Sequence, residues 1–245
     1  MTVTFRLEGQ PFLALNAGPE FKFSPAVSFF VSYKTEKEID DLWKKLSEGA
    51  TVLMELGKYP FAEKFGWLQD RFGISWQLMI SDRQQKIVPF LTFVGDQFGK
   101  AEEAINLYTS VFPNSGTERI ERYEKGERDK EGAIKHGVFK LNDQNFMAME
   151  SSASHQFKFT HAISFIVNCE TQAEVDHFWE KLSKGGQEEQ CGWVQDKFGV
   201  SWQITPIILP ELLQDPDRSK AEKAMKAMLQ MKKIDINKLK QAYES

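Results

Sequence analysis

The chain repeats itself, and this constrains its fold more than any other feature. Residues 66–78 read GWLQDRFGISWQL and residues 192–204 read GWVQDKFGVSWQI, identical at nine of thirteen positions. Upstream, 21–49 matches 157–185 at fifteen of twenty-nine positions, and FRLEGQPFLALN (5–16) matches FKLNDQNFMAME (139–150). Residues 1–82 therefore read as a second copy of about 135–206. The 49 residues 86–134 have no counterpart in the first copy, which reads as shortened at its start. The polar run SDRQQK (81–86) lies between apolar stretches and marks the boundary between copies.

Each copy carries one well-marked helix. Thr35 and Glu38 have capping-box spacing, and Ile39, Leu42, Trp43 and Leu46 follow on one face until Gly49. Thr171, Glu174, Val175, Phe178, Trp179, Leu182 and Gly185 repeat the pattern. A β-rich run precedes each helix (AVSFFVSY, AISFIVNC) and short strands follow, ending in ISWQLMI and VSWQITPI. The unpaired stretch has the same order, with strand IVPFLTFV, helix GKAEEAINLYTSVF, turn PNSG and strand TERIERYE. Residues 86–206 thus read as β-α-β-β-β twice, an α+β arrangement. DKFG (196–199) and DRFG (70–73) read as tight turns whose glycine takes a positive φ, and KYPFAEKFGW (58–67) as a loop over the sheet. The tail 207–245 reads as helical and amphipathic, with Ala221, Ala224, Met225, Met228 and Leu229 on one stripe. The expected domains are a shortened 1–82, a complete 83–206, and a helical tail 207–245 packing on the second domain.

The net charge of −4 argues against nucleic acid as the main partner, since phosphate binding needs clustered excess Lys and Arg. No apolar run is long enough to span a membrane, and the start lacks the pattern of a secretory signal. Two cysteines, Cys169 and Cys191, are too few for a disulfide framework, so a cytoplasmic location is the expectation.

The strings PFLTFVGD, AEEAINLYTSVFPNS, FKFTHAISFIVNCETQAEVDHFWEKLS and QCGWVQDKFGVSWQITP, with LLQDPDRSKAEKAMKAMLQMKKIDI in the tail, closely resemble the PhnB-like branch of the vicinal oxygen chelate (glyoxalase-like) superfamily. That branch is often labelled a 3-demethylubiquinone-9 3-methyltransferase domain. The resemblance implies paired βαβββ modules in a tandem repeat, each pair forming a cup that in metal-using members holds a divalent ion. It places His161 at a ligand position, with Glu150 and the amide of Gln203 at two others, while Pro89, Asn16, Pro25 and Gln77 stand where other ligands would be. The cofactor it allows is one divalent metal in the C-terminal domain. No glycine-rich strand-to-helix turn suited to a nucleotide-like cofactor is present.

His136, Trp193, Trp202 and Cys191 are further candidates for the lining of the cup: His136 as a group titrating near neutrality, the tryptophans as stacking surfaces, and Cys191 as a thiol. Glu188 and Glu189 beside Cys191 disfavour a thiolate, and a packing role fits it better. The open edge left by the shortened copy leads to an expected homodimer. Two functions stay open. One is a small-molecule-binding protein with degenerate metal sites. The other is a divalent-metal-dependent isomerase, lyase or dioxygenase acting on a substrate with two neighbouring oxygens.

Overall fold

A computed structural model describes residues 2–16 and 18–245. It comprises two compact units, Met1–Ala162 and Ile163–Ser245. The first opens with a hairpin of β1 (Thr2–Leu7) and β2 (Gln10–Leu15). A βαβββ module follows: β3 (Val27–Tyr33), α1 (Glu36–Leu46), β4 (Thr51–Tyr59), β5 (Ala62–Gln69) and β6 (Ser75–Ile80). A second comprises β7 (Ile87–Val94), α2 (Ala101–Val111), β8 (Gly116–Arg122), β9 (Ile134–Leu141) and β10 (Gln144–Ser151).

These two modules form one eight-stranded sheet in the order β4-β5-β6-β3-β7-β10-β9-β8. The join is antiparallel, β3 on β7, with Phe30 opposite Val88 and Val31 opposite Ile87. All eight residues of β7 are buried, as expected of a strand covered on both faces and paired along both edges. The boundary expected at 82/83 thus falls between β6 and β7, inside one continuous sheet. The segment expected as a complete domain, 83–206, is divided at Ala162/Ile163. The cause is the pairing of module-opening strands, which takes one module from each copy of the repeat. Equivalent residues of the copies also meet reciprocally: Ser24 Oγ donates to the Lys158 carbonyl at 2.6 Å, and Thr160 Oγ1 donates to the Lys22 carbonyl at 2.9 Å.

Alternation along the strands gives this sheet two different faces. Val31, Leu78 and Ile87 pack with Ile39 of α1, while Gly137 approaches Ile105 and Phe139 stacks on Tyr108 of α2. Both helices therefore lie on one side. Gly66 is required there, because a Cβ on it would stand 2.5 Å from the Trp43 ring. The other face, called the inner face below, carries Phe30, Phe65, Val88, Phe90, Val138 and Met147, which pack on one another.

The second unit is a third module: β11 (Ser164–Cys169), α3 (Gln172–Ser183), β12 (Gln187–Glu188), β13 (Trp193–Gln195) and β14 (Ser201–Pro206), with sheet order β11-β14-β13-β12. Residues 50–65 of the first copy are sixteen in number against six at 186–191, so the long β4–β5 hairpin has only a two-residue β12 as its counterpart. The stretch read as a loop, 58–67, thereby lies in β4, β5 and their tight connection. The tail forms α4 (Ile208–Leu213), α5 (Arg218–Leu229) and α6 (Ile236–Glu244) around Leu209, Leu212, Ala224, Ile234 and Leu239. It is tied to its module where Cys191 N–H donates to the Met231 carbonyl and Gly192 N–H to the Lys232 carbonyl, at 2.7 and 2.8 Å.

Candidate ligand cup

The inner face of the eight-stranded sheet has an apolar floor. Met54, Tyr59, Ala62, Trp67, Met79 and Met149 pack around its six buried residues. Two pairs of neutral polar groups lie among them: the Gln77 amide donates to Ser28 Oγ at 2.7 Å, and Trp67 Nε1–H donates to Ser75 Oγ at 2.8 Å; the hydroxyls of Ser32 and Thr92 are buried there without a hydrogen-bond partner. The first pair spans adjacent parallel strands β3 and β6 and is buried, so an amide and a hydroxyl satisfy each other where water is excluded.

His136 sits toward the β8 side, its ring centroid 6.0 Å from that of Phe90. Glu121 stands across from it on β8, and Arg119 stands across from Val138. Arg119 and Glu121 form an ion pair at 3.0 Å. Burial, then the positive charges of Arg119 and Arg83, push the His136 pKa down to about 4. The imidazole is accordingly neutral at pH 7. Its Nδ1 and the Nε of Arg83 are both buried and lack a hydrogen-bond partner in the structure. Burial likewise lowers the Arg83 pKa.

Each residue expected as a metal ligand has its own local partners. Glu150 does not share the inner face: Met147 and Met149 take it, and alternation turns Glu150 toward α2. There one carboxylate oxygen accepts from Ala101 N–H at 2.9 Å and the other from Ile134 N–H at 2.7 Å. Lys100 at the N-cap position of α2 makes no side-chain capping bond, so Glu150 performs that task from a distant strand. The His161 ring lies against Phe21, centroids 4.9 Å apart. Gln203 belongs to the second unit, where its amide donates to Ser164 Oγ at 2.8 Å and repeats the Gln77–Ser28 pair. Among the described residues no three His, Cys, Asp or Glu side chains come together as a metal-holding group. With both Glu150 oxygens committed to backbone N–H groups, this donor set does not fit a divalent ion.

Of the remaining candidates, Trp193 is half-buried and stands across from Gln203 on β13 and β14. Trp202 is buried on the opposite face, where its indole N–H donates to Asp196 Oδ2 at 2.9 Å. Cys191 has φ 61°, and burial raises its thiol pKa. Burial pushes the Cys169 thiol up to about 12. Neither cysteine is a thiolate nucleophile at neutral pH. Arg83 and Arg119 escaped notice in the sequence. The first lies in the polar run between the copies, and the second in a strand whose inner-face positions only the register with β9 reveals.

Paired βαβββ modules joined through their opening strands define the glyoxalase-like fold. Glyoxalase I from Zea mays, 10% identical, superposes with a TM-score of 0.52 over 78% of this chain and 71% of its own, a likeness of fold alone. The chain belongs to the family described as 3-demethylubiquinone-9 3-methyltransferase, whose model matches residues 1–79 and 85–205. A Bacillus cereus PhnB protein under the same label is 43% identical over 50% of this chain and 99% of its own, with a TM-score of 0.47. A Staphylococcus aureus protein is 31% identical over 46% of this chain and 89% of its own, with a TM-score of 0.21. The family boundaries follow the repeat in the sequence and not the division between compact units. No curated protein matches the chain.

Proposed function

We propose that this PhnB-like protein binds an apolar or aromatic small molecule on the inner face of its eight-stranded sheet, without a catalytic divalent metal. The observation that carries this reading is the chemistry of that face. Six mutually packed apolar side chains form the floor; buried Ser28 and Gln77 satisfy each other beside it, and the neutral hydroxyls of Ser32 and Thr92 are buried there without a partner. Neutral amide and hydroxyl groups hold a divalent ion poorly, and they orient an apolar ligand at little desolvation cost. Neutral His136 and the unpaired Arg83 Nε supply polar anchor points at the margin.

The test is a titration of chelator-treated protein with 1-anilinonaphthalene-8-sulfonate, read by probe and tryptophan fluorescence. Saturable binding at one probe per chain is expected, unchanged by added chelator. Met149→Glu should weaken it at least tenfold, because Met149 is only partly buried at the edge of the floor and a charge there repels an apolar guest. No saturable binding would defeat the proposal. So would binding that requires added divalent metal and disappears in His161→Ala, which would restore the metal-dependent isomerase, lyase or dioxygenase.

A further inference from the structure

The inner face is chemically one-sided. Toward β4 and β5 it carries Met54, Tyr59, Phe65 and Trp67, all packed into the apolar floor. Toward β8 and β9 it carries charge. Arg119 stands across from Val138, a residue of the floor, and Glu121 stands across from His136. Directly opposed residues of antiparallel strands share a face, so all four side chains lie on this one. Arg83 reaches the same margin from the segment between β6 and β7. Its charge acts on His136, and the charge of Arg119 acts on Arg83.

The cations of this margin are unequally matched. Arg119 holds Glu121 at 3.0 Å, and Lys140, two residues beyond Val138 on β9, holds Asp143 at 3.1 Å. Arg83 Nε is buried without a hydrogen-bond partner, and so is His136 Nδ1. The like charge of Arg119 acts on Arg83 more strongly than the carboxylates of Glu118 and Asp82 do. His136 likewise feels Arg119 and Arg83 ahead of Glu121. The buried part of the margin is therefore positive and is short of one negative group. Burying a cation unpaired is costly, and such a site is stabilised when a ligand supplies the missing charge.

We infer that the guest of the inner face is an apolar or aromatic acid, its body on the floor and its single carboxylate or sulfonate received by Arg83 at the β8–β9 margin. This rests on the apolar guest proposed for the inner face, and adds its charge and its direction. A guanidinium offers N–H donors in a fixed fork that fits two oxygens of an acid group. Neutral His136 offers a further donor in its Nδ1–H tautomer, without adding another cation. Arg119 attracts the same anion while it stays bound to Glu121. Arg119 and Lys140 already have carboxylate partners, so the margin accommodates one negative charge and not the two of a phosphate monoester. A neutral guest would cover Arg83 Nε, exclude water from it and leave it unpaired, which weakens binding.

The experiment is a fluorescence titration of the full-length chain with a matched pair of probes. One is 1-anilinonaphthalene-8-sulfonate, and the other is N-phenyl-1-naphthylamine, the same ring system without the sulfonate. Wild type should bind the sulfonate about tenfold more tightly than the neutral probe, the size of one charge-assisted hydrogen bond. Arg83→Met should bring the sulfonate down to the affinity of the neutral probe and leave the neutral probe within about twofold of its wild-type value. Binding of the neutral probe by the variant also shows that its cup is folded. A second measurement needs no variant: naphthalene-2-carboxylate should displace the sulfonate from wild type about tenfold better than naphthalene-2-methanol. Equal affinity of wild type for the two probes would overturn the acid site and leave the apolar cup standing. So would a preference for the sulfonate that survives Arg83→Met, or equal displacement by the acid and the alcohol. Failure of both probes to bind wild type would defeat the apolar cup and this inference with it.

Discussion

His136 is a buried base held neutral by its surroundings, and that gives it a measurable signature. Its folded pKa of about 4 lies below the ordinary 6.5, with burial as the main cause and Arg119 and Arg83 adding to it. As pH falls through 6.5 the unfolded chain takes up the proton first, and the folded chain resists until about pH 4. The contribution to stability is therefore whole above pH 6.5 and is lost progressively down to about pH 4. The loss attributable to this residue is on the order of 2–3 kcal/mol. Urea unfolding at pH 7 and pH 5 should show a smaller acid loss in His136→Gln than in wild type. Equal losses would mean the imidazole is not buried as described. The two DxFG turns were legible residue by residue because their bonds are local. Gly73 and Gly199 take φ of 90° and 93°, and Asp70 and Asp196 each accept from two backbone N–H groups of their own turn. What local spacing did not disclose is that the second oxygen of each Asp binds an indole N–H, Trp76 or Trp202. That bond holds the Trp202 ring against its own DxFG turn.

At the scale of elements, a cap formed within its own helix can be read from sequence, and a cap supplied from elsewhere cannot. Thr35–Glu38 and Thr171–Glu174 are both present as full capping boxes, as their three-residue spacing implied. The cap of α2 comes from Glu150, 49 residues away. The sequence string around Glu150 suggested a metal ligand because its position along β10 was right, but the alternation of the strand turns it to the other face. Glu150→Ala should cost about 3 kcal/mol, since it leaves two buried N–H groups without acceptors. Thermal unfolding should record this loss, while binding of the naphthalene probe by the folded protein stays within a factor of two. A loss of binding with stability preserved would instead mean that the carboxylate serves a ligand.

At the scale of the whole molecule, the duplication is visible to the eye, yet the compact units do not coincide with the copies. Strands such as IVPFLTFV announce that they are buried on both faces, and nothing in them states which neighbour will do the burying. One neighbour of β7 is β3, a strand over fifty residues earlier in the chain. That pairing also determines which side chains share a cup. It brings His136 to Phe90 and, through the floor, to Phe30. Among the described residues no helix is long and apolar enough to cross a membrane.

On the proposed reading the inner face works without a divalent ion. Calorimetric titration of the chelator-stripped, full-length chain with zinc, manganese, nickel and iron(II) tests it most directly. No stoichiometric binding to wild type is expected, with heats indistinguishable from those of His161→Ala. One ion per chain, lost in His161→Ala, would contradict it and return the protein to the metal-dependent enzymes of its fold.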